Sequence, residues 1–185
     1  MPEVPSGLDD SIPHMHVKLD FHRPAVEHRA AFAEWIADWK GDAYDPYRWI
    51  FARAWTDFDC YLALCKRMQT EGCPPELTVP LDAYWAFDGE TMVGELYVFY
   101  EPMGGDNHIG YKVRPSARRT GVGSALLHYG LERLRERGIS VAYLTCRDTN
   151  AASAALIERA GGTRLEDKRG PEGHMIRRYR VSTER

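Results

Sequence analysis

Between Pro24 and Lys40 the apolar residues Phe32, Trp35, Ile36 and Trp39 recur at steps of three and four, which predicts a helix with one buried face. Pro24 suits its first turn and Gly41 its stop. A second helix is expected from the capping pair Thr56 and Asp59 through Met68, ending before Gly72, with Phe58, Leu62 and Cys65 on its stripe. The stretch between them, Asp42 to Ala54, is aromatic and turn-rich and reads as a loop bordering a cleft. Past Pro74 and Pro75 the period shortens to that of a strand. Ala83–Phe87 and Met92–Tyr100 form a hairpin around Asp88-Gly89, and Val93, Glu95, Tyr97 and Phe99 are expected on one face. His108–Val113 is a short strand, Gly121–Arg137 a helix striped by Val122, Leu126, Tyr129 and Leu134, and Val141–Cys146 a buried strand. Strand, helix and strand in that order can place the two strands parallel with a right-handed crossover. A short helix capped by Thr149 or Asn150 stops at Gly161-Gly162. A hairpin of Thr163–Lys168 and His174–Val181 closes the chain, and Val17–Phe21 is a first strand after an irregular lead-in over residues 1–16. The elements predict a mixed class containing both α and β structure.

One stretch in this pattern carries chemistry. From Val113 the chain reads Val-Arg-Pro-Ser-Ala-Arg-Arg-Thr-Gly-Val-Gly-Ser, a strand end, a turn with Arg114, Arg118 and Arg119, and a helix start built on Gly121 and Gly123. Glycine lets the backbone turn sharply and approach a ligand closely. The unused N–H groups and positive dipole end of the helix make an anion seat, to which the arginines add forked donors; a phosphate or pyrophosphate is the expected occupant. Such a glycine pair also serves as a plain tight connection, and a basic turn as plain wetted surface. A Walker loop is excluded because no Gly-Lys-Ser/Thr follows, and the dinucleotide fingerprint is incomplete with Leu126 at its third glycine position.

At 185 residues with 44% hydrophobic content the chain suits a single domain over 1–185 with a real core. A net charge of −3 supplies no global basic field for nucleic acid or a membrane surface. Four cysteines without a Cys-x-x-Cys pair argue against a disulfide framework or structural zinc, and His14, His16 and His22 read as surface residues, so no metal is expected. Without a signal segment or a membrane-length apolar run, a cytoplasmic location is expected.

The spacing Arg118-x-x-Gly121-x-Gly123 after a strand ending Val-x-Pro resembles motif A of the GNAT N-acetyltransferase superfamily. Asn150-x-x-Ser153-x-x-Leu156, with Gly161 five residues on, resembles that superfamily's later cofactor-side segment, and the two occur in the right order. The chain is also similar to predicted acetyltransferases with a His-Ile-Gly-Tyr strand, here His108–Tyr111, and an Ile-Arg-Arg-Tyr ending, here Ile176–Tyr179. The resemblance implies a three-layer α/β fold: a strongly twisted, mixed sheet of about six to seven strands, splayed near the middle and flanked by about four helices. It implies acetyl-CoA as donor, with Val113 beside the pantetheine arm. Arg118, Arg119, Thr120, Gly121, Val122, Gly123 and Ser124 would surround the pyrophosphate, Asn150 and Ser153 would face it from the other side, and Arg114 or Arg119 would meet the ribose phosphate or remain in solvent.

Acetyl transfer needs a neutral amine, and at neutral pH only about one lysine-like amine in a thousand is unprotonated, a handicap of roughly 4 kcal/mol. Glu95 and His108 are the candidate bases, each with an ordinary structural role as the alternative. Many relatives carry a tyrosine that protonates the leaving thiolate where this chain has Ile157; Tyr111 or Tyr179 would have to substitute, or the thiolate leaves unaided. The expected activity is transfer to a primary amine of a small molecule or peptide. Transfer of a longer acyl group and an acyl-CoA-binding sensor without turnover are the competing readings. Acids such as Asp42, Asp45 or Glu95 in the pocket would select a cationic amine, and a homodimer is open to a fold of this kind.

Overall fold

The computed structural model describes residues 17–39, 57–71, 79–104, 106–170 and 173–184. The lead-in, the Asp42–Ala54 loop, Thr56 and Cys73 lie outside them. In chain order come β1 (Asp20–His22), α1 (Arg29–Asp38), α2 (Phe58–Glu71), β2 (Leu81–Asp88), β3 (Thr91–Met103), β4 (Asn107–Val113), α3 (Val122–Glu136), β5 (Val141–Arg147), α4 (Ala151–Arg159), β6 (Thr163–Arg169) and β7 (Met175–Ser182). The strands form two sheets, β1-β2-β3-β4 and β5-β7-β6. Every hydrogen-bonded pair is antiparallel. The strand–helix–strand unit thus brings β4 beside β5 without joining them in one ladder, and the two sheets meet at that seam.

Three layers result. On one face α1 and α2 cover the first sheet with Phe32, Trp35, Tyr61 and Met68 packed on Trp85, Tyr97 and Phe99. On the other, α3 and α4 pack Leu126, Leu127, Leu134 and Ile157 onto Leu96, Ile109, Leu144 and Tyr179, so this core spans both sheets. At 10 residues α1 is too short to hold its shape alone in water. Its stability comes from burial of Phe32 and Trp35, large rings of which each removes roughly 150–250 Å² from solvent.

Three local details depart from expectation. The first helix opens with a 3-10 turn at Val26–His28 instead of at Pro24. The cap of α2 is Asp57, whose Oδ1 accepts the N–H groups of Asp59 at 3.0 Å and Cys60 at 3.1 Å. Val93 packs in the α3 core while Glu95, Tyr97 and Phe99 face α1 and α2. The reason is a register shift: Ala86 pairs with Gly94 but Phe87 with Met92, so the extra residue turns Val93 to the opposite face.

Candidate active site

The arginine turn is built from β4 outward. As β4 ends, the Arg114 N–H donates to the Val93 carbonyl at 2.9 Å, and Pro115–Ala117 form one 3-10 turn. Asp38, at the end of α1, accepts the Ser116 N–H at 3.0 Å and lies 3.5 Å from Arg114 Nε. With Arg114 Nη1 also on the Met92 carbonyl at 3.3 Å, this guanidinium fastens the turn to α1 and β3. The Arg118 guanidinium lies over the Trp39 ring, 5.4 Å from its centre. Thr120 Oγ1 closes the turn on the Ala117 carbonyl at 2.7 Å, and Arg119 is exposed.

Arg119 at φ +68° and Gly121 at φ +93° bend the backbone through left-handed conformations, which makes successive N–H groups converge. Among the described residues no side chain caps α3, and the Ala125 N–H bonds the Gly121 carbonyl at 3.1 Å, so the N–H groups of Val122, Gly123 and Ser124 precede the helical ladder. Gly121 is exposed and Gly123 half-buried, so the seat is open. A Cβ on Gly123 would stand 2.9 Å from Leu156 Cδ1 and 3.5 Å from Val113 Cγ2. Absence of a side chain there brings α3, α4 and the end of β4 together.

Across the seam, Tyr111 Oη lies 2.9 Å from Ser153 Oγ, joining β4 to the first turn of α4. Asn150 caps that turn, its Oδ1 accepting the Ser153 N–H at 3.0 Å. Burial pushes the Tyr111 phenol above its ordinary pKa, so it stays protonated at neutral pH. Cys146, on β5 beside this pair, is likewise pushed up by burial and is a protonated thiol. Asn107 and His108 meet β5 with their side chains: Oδ1 accepts the Thr145 N–H at 3.2 Å and Nδ1 the Tyr143 N–H at 2.9 Å.

Glu95 is fully buried on the α1/α2 face. It faces Lys112 across the β3–β4 ladder, and Lys112 Nζ donates to Oε2 at 3.1 Å. The Tyr61 hydroxyl donates to Oε1 and lies 2.9 Å from the Tyr97 hydroxyl. Burial drives the Lys112 ammonium below its usual pKa against the pull of Glu95, and burial holds both phenols well above theirs. The carboxylate therefore already has a cation and a hydroxyl as partners. Asp42 and Asp45 lie outside the described residues.

Neither Lys112, Tyr61 nor Asp38 stood out in the sequence. Asp106 was equally silent: buried at the start of β4, it accepts Arg178 Nε at 3.0 Å and Lys168 Nζ at 2.6 Å, tying the two sheets together. A shallow concavity of about 410 Å³ lies elsewhere, between the later turns of α3, Arg159 and Thr183, and holds none of the predicted site residues.

Residues 29–162, more than half of the chain, match the model of the acetyltransferase (GNAT) family. The chain belongs to this family. A mycothiol acetyltransferase of Geodermatophilus obscurus is 32% identical over 91 residues, 46% of this chain and 30% of that protein. The chain thus matches less than a third of that relative's length. Among solved structures, an acetyl transferase of Salmonella typhimurium that modifies the N-terminal serine of ribosomal protein L7/L12 superposes with TM-score 0.63 and 21% identity, covering 92% of this chain and 98% of that one. Mycobacterium smegmatis RimJ in complex with CoA-disulfide gives TM-score 0.67 and 15% identity, with 90% and 82% covered. At these identities the likeness is one of fold. As a member of the GNAT family, the chain places its motif A glycines at the start of α3 and its Asn-x-x-Ser segment at the start of α4, on opposite sides of the seam.

Proposed function

We propose that this protein is an N-acetyltransferase that takes its acetyl group from acetyl-CoA and passes it to a primary amine of a small molecule or peptide. The observation that carries the reading is the open amide seat of Gly121–Ser124 at the end of a strand that shares no ladder with its neighbour β5. The residues fit the donor: convergent N–H groups and Arg118 and Arg119 suit a diphosphate, Gly123 keeps a Cβ out of the junction, and half-buried Val113 lines the entry. Arg114 holds the turn in shape, and Arg118 and Arg119 are both exposed; with Arg118 over the Trp39 ring, Arg119 is assigned to the ribose phosphate. Asn150 acts by capping α4, which fixes where Ser153 presents its hydroxyl.

Acetyl-CoA supplies an activated acyl carbon on a thiol leaving group. Tyr111 protonates the departing sulfur, and its bond to Ser153 aims the phenol across the seam. This assigns to β4 the proton that relatives take from a tyrosine at the position of Ile157, which here is buried in the core. Glu95 and Tyr61 are both fully buried, so the amine's proton leaves to solvent before attack instead of to Glu95.

Calorimetric titration with acetyl-CoA followed by a thiol-release assay over a panel of amines tests the proposal. Binding with release for at least one amine is expected. Binding without release for every amine would favour an acyl-CoA sensor, and absence of binding would remove both readings.

A further inference from the structure

A paired strand lies about 4.8 Å from its neighbour because backbone N–H and C=O groups bond directly. At the seam between β4 and β5 that arrangement is replaced. Two consecutive residues of β4, Asn107 and His108, reach out with their side chains and accept the Thr145 and Tyr143 N–H groups of β5. A backbone donor that loses its strand partner must find another acceptor or carry the cost of being unpaired. Here each acceptor is a side chain, so the donors are satisfied while the backbones stay a side chain's length apart. The His108 ring is held by a ring contact as well as by this bond. It is 4% exposed and stacks on the Tyr143 ring at 5.8 Å with an interplanar angle of 18°.

The chemistry of the ring follows from the donor it faces. A neutral imidazole has one N–H and one basic nitrogen. With an amide N–H aimed at Nδ1, the basic nitrogen is Nδ1 and the proton sits on Nε2. No lone pair remains for a substrate proton unless the bond to Tyr143 is broken first.

We propose that Asn107 and His108 form a spacer that sets the width of the cofactor cleft, and that His108 positions β5 and α4 instead of taking the substrate's proton. β5 carries Cys146 and leads directly into Asn150 and Ser153, so the spacing it imposes also sets the 2.9 Å approach of Ser153 to Tyr111. The width matters only if acetyl-CoA enters there, so this inference rests on the function proposed above.

The test compares His108→Ala, Asn107→Ala and the conservative His108→Asn, whose Oδ1 can stand where Nδ1 stands. For the alanine variants the expected result is a rise of about tenfold or more in KM for acetyl-CoA with a smaller change in kcat, together with faster hydrogen exchange at the Tyr143 and Thr145 amides respectively. His108→Asn is expected to restore KM to within about threefold of wild type, to protect the Tyr143 amide and to keep the pH–rate profile. A fall in kcat of about 100-fold in both His108 variants, with KM unmoved and the acidic limb of the profile lost, would make His108 a base and overturn the proposal. Unchanged KM and unchanged exchange in the alanine variants would overturn it as well. If His108→Ala fails to fold, Asn107→Ala and His108→Asn carry the same comparison. Should wild-type protein bind no acetyl-CoA, the proposed function fails, while the exchange data still decide whether the spacer exists.

Discussion

Replacing Lys112 with Met removes one charge from a pair that is sealed inside the protein. The Lys112 side chain is 2% exposed, that of Glu95 is not exposed at all, and 3.1 Å separates Nζ from Oε2. At an effective dielectric of 20 the attraction over that distance is about 5 kcal/mol. The depressed pKa of Lys112 says that its desolvation outweighs this attraction, so the intact pair contributes little net stability compared with apolar residues of the same shape. Removing one partner is a different matter: the Glu95 carboxyl would be left buried without its cation, beside the hydroxyls of Tyr61 and Tyr97. The expected loss for Lys112→Met is about 3–5 kcal/mol, whereas the double variant Glu95→Leu/Lys112→Met recovers most of it. In a chain of this length that is a fall in Tm of roughly 6–20 °C for the single variant. Urea melts of wild type, both single variants and the double variant give the coupling energy directly. If Lys112→Met costs less than about 1 kcal/mol, or if the two single effects simply add, the two side chains are not a desolvated pair and the reasoning is wrong.

Gly121→Ala places a Cβ at φ +93°, a conformation that costs an L residue about 1–2 kcal/mol, and crowds the amide seat; calorimetry should show acetyl-CoA binding weakened about tenfold. Tyr111→Phe is expected to lower kcat about 10–100-fold with KM for acetyl-CoA within threefold, read as thiol release, and Ser153→Ala to show a weaker version of the same change. Asp38→Asn weakens the tie between α1 and the arginine turn, so acetyl-CoA affinity should fall about 3–10-fold by calorimetry while the near-ultraviolet dichroism of the aromatic core is kept. Burial holds the His108 pKa below its unfolded value of about 6.5, so between the two values the unfolded chain binds more protons. That contribution to stability is complete above about pH 6.5 and is lost as pH falls through the folded value; urea melts from pH 7.5 to 5 should show a steeper decline in wild type than in His108→Asn.

The elements were legible in the sequence wherever their signal is local. The period of α3, the Asp88-Gly89 turn and the glycine stop after α4 each act within a few residues, and each is where the sequence places it. Pairing is not local. Nothing in Val141–Cys146 says that β5 will bond β7 and leave β4, because both candidates offer the same alternating strand. The shift at Gly94 has the same character: one extra residue in β3 reverses the face of Val93, and the alternation of types around it is compatible with either register.

The site divides along the same line. The open helix start of α3 was legible because Arg118, Gly121 and Gly123 lie in one turn, and their spacing already contains that backbone geometry. Glu95 and His108 were singled out by residue type, and type alone leaves the role of an ionisable group open until its partners are known. Their partners lie far off in the chain: Lys112 on the next strand, Tyr61 on α2, and an amide of β5 that is 35 residues from His108. Tyr111 shows the reverse case. The sequence names it beside Tyr179 as one of two possible substitutes for the tyrosine missing at Ile157, and what sets it apart is the start of α4, which places Ser153 against its hydroxyl.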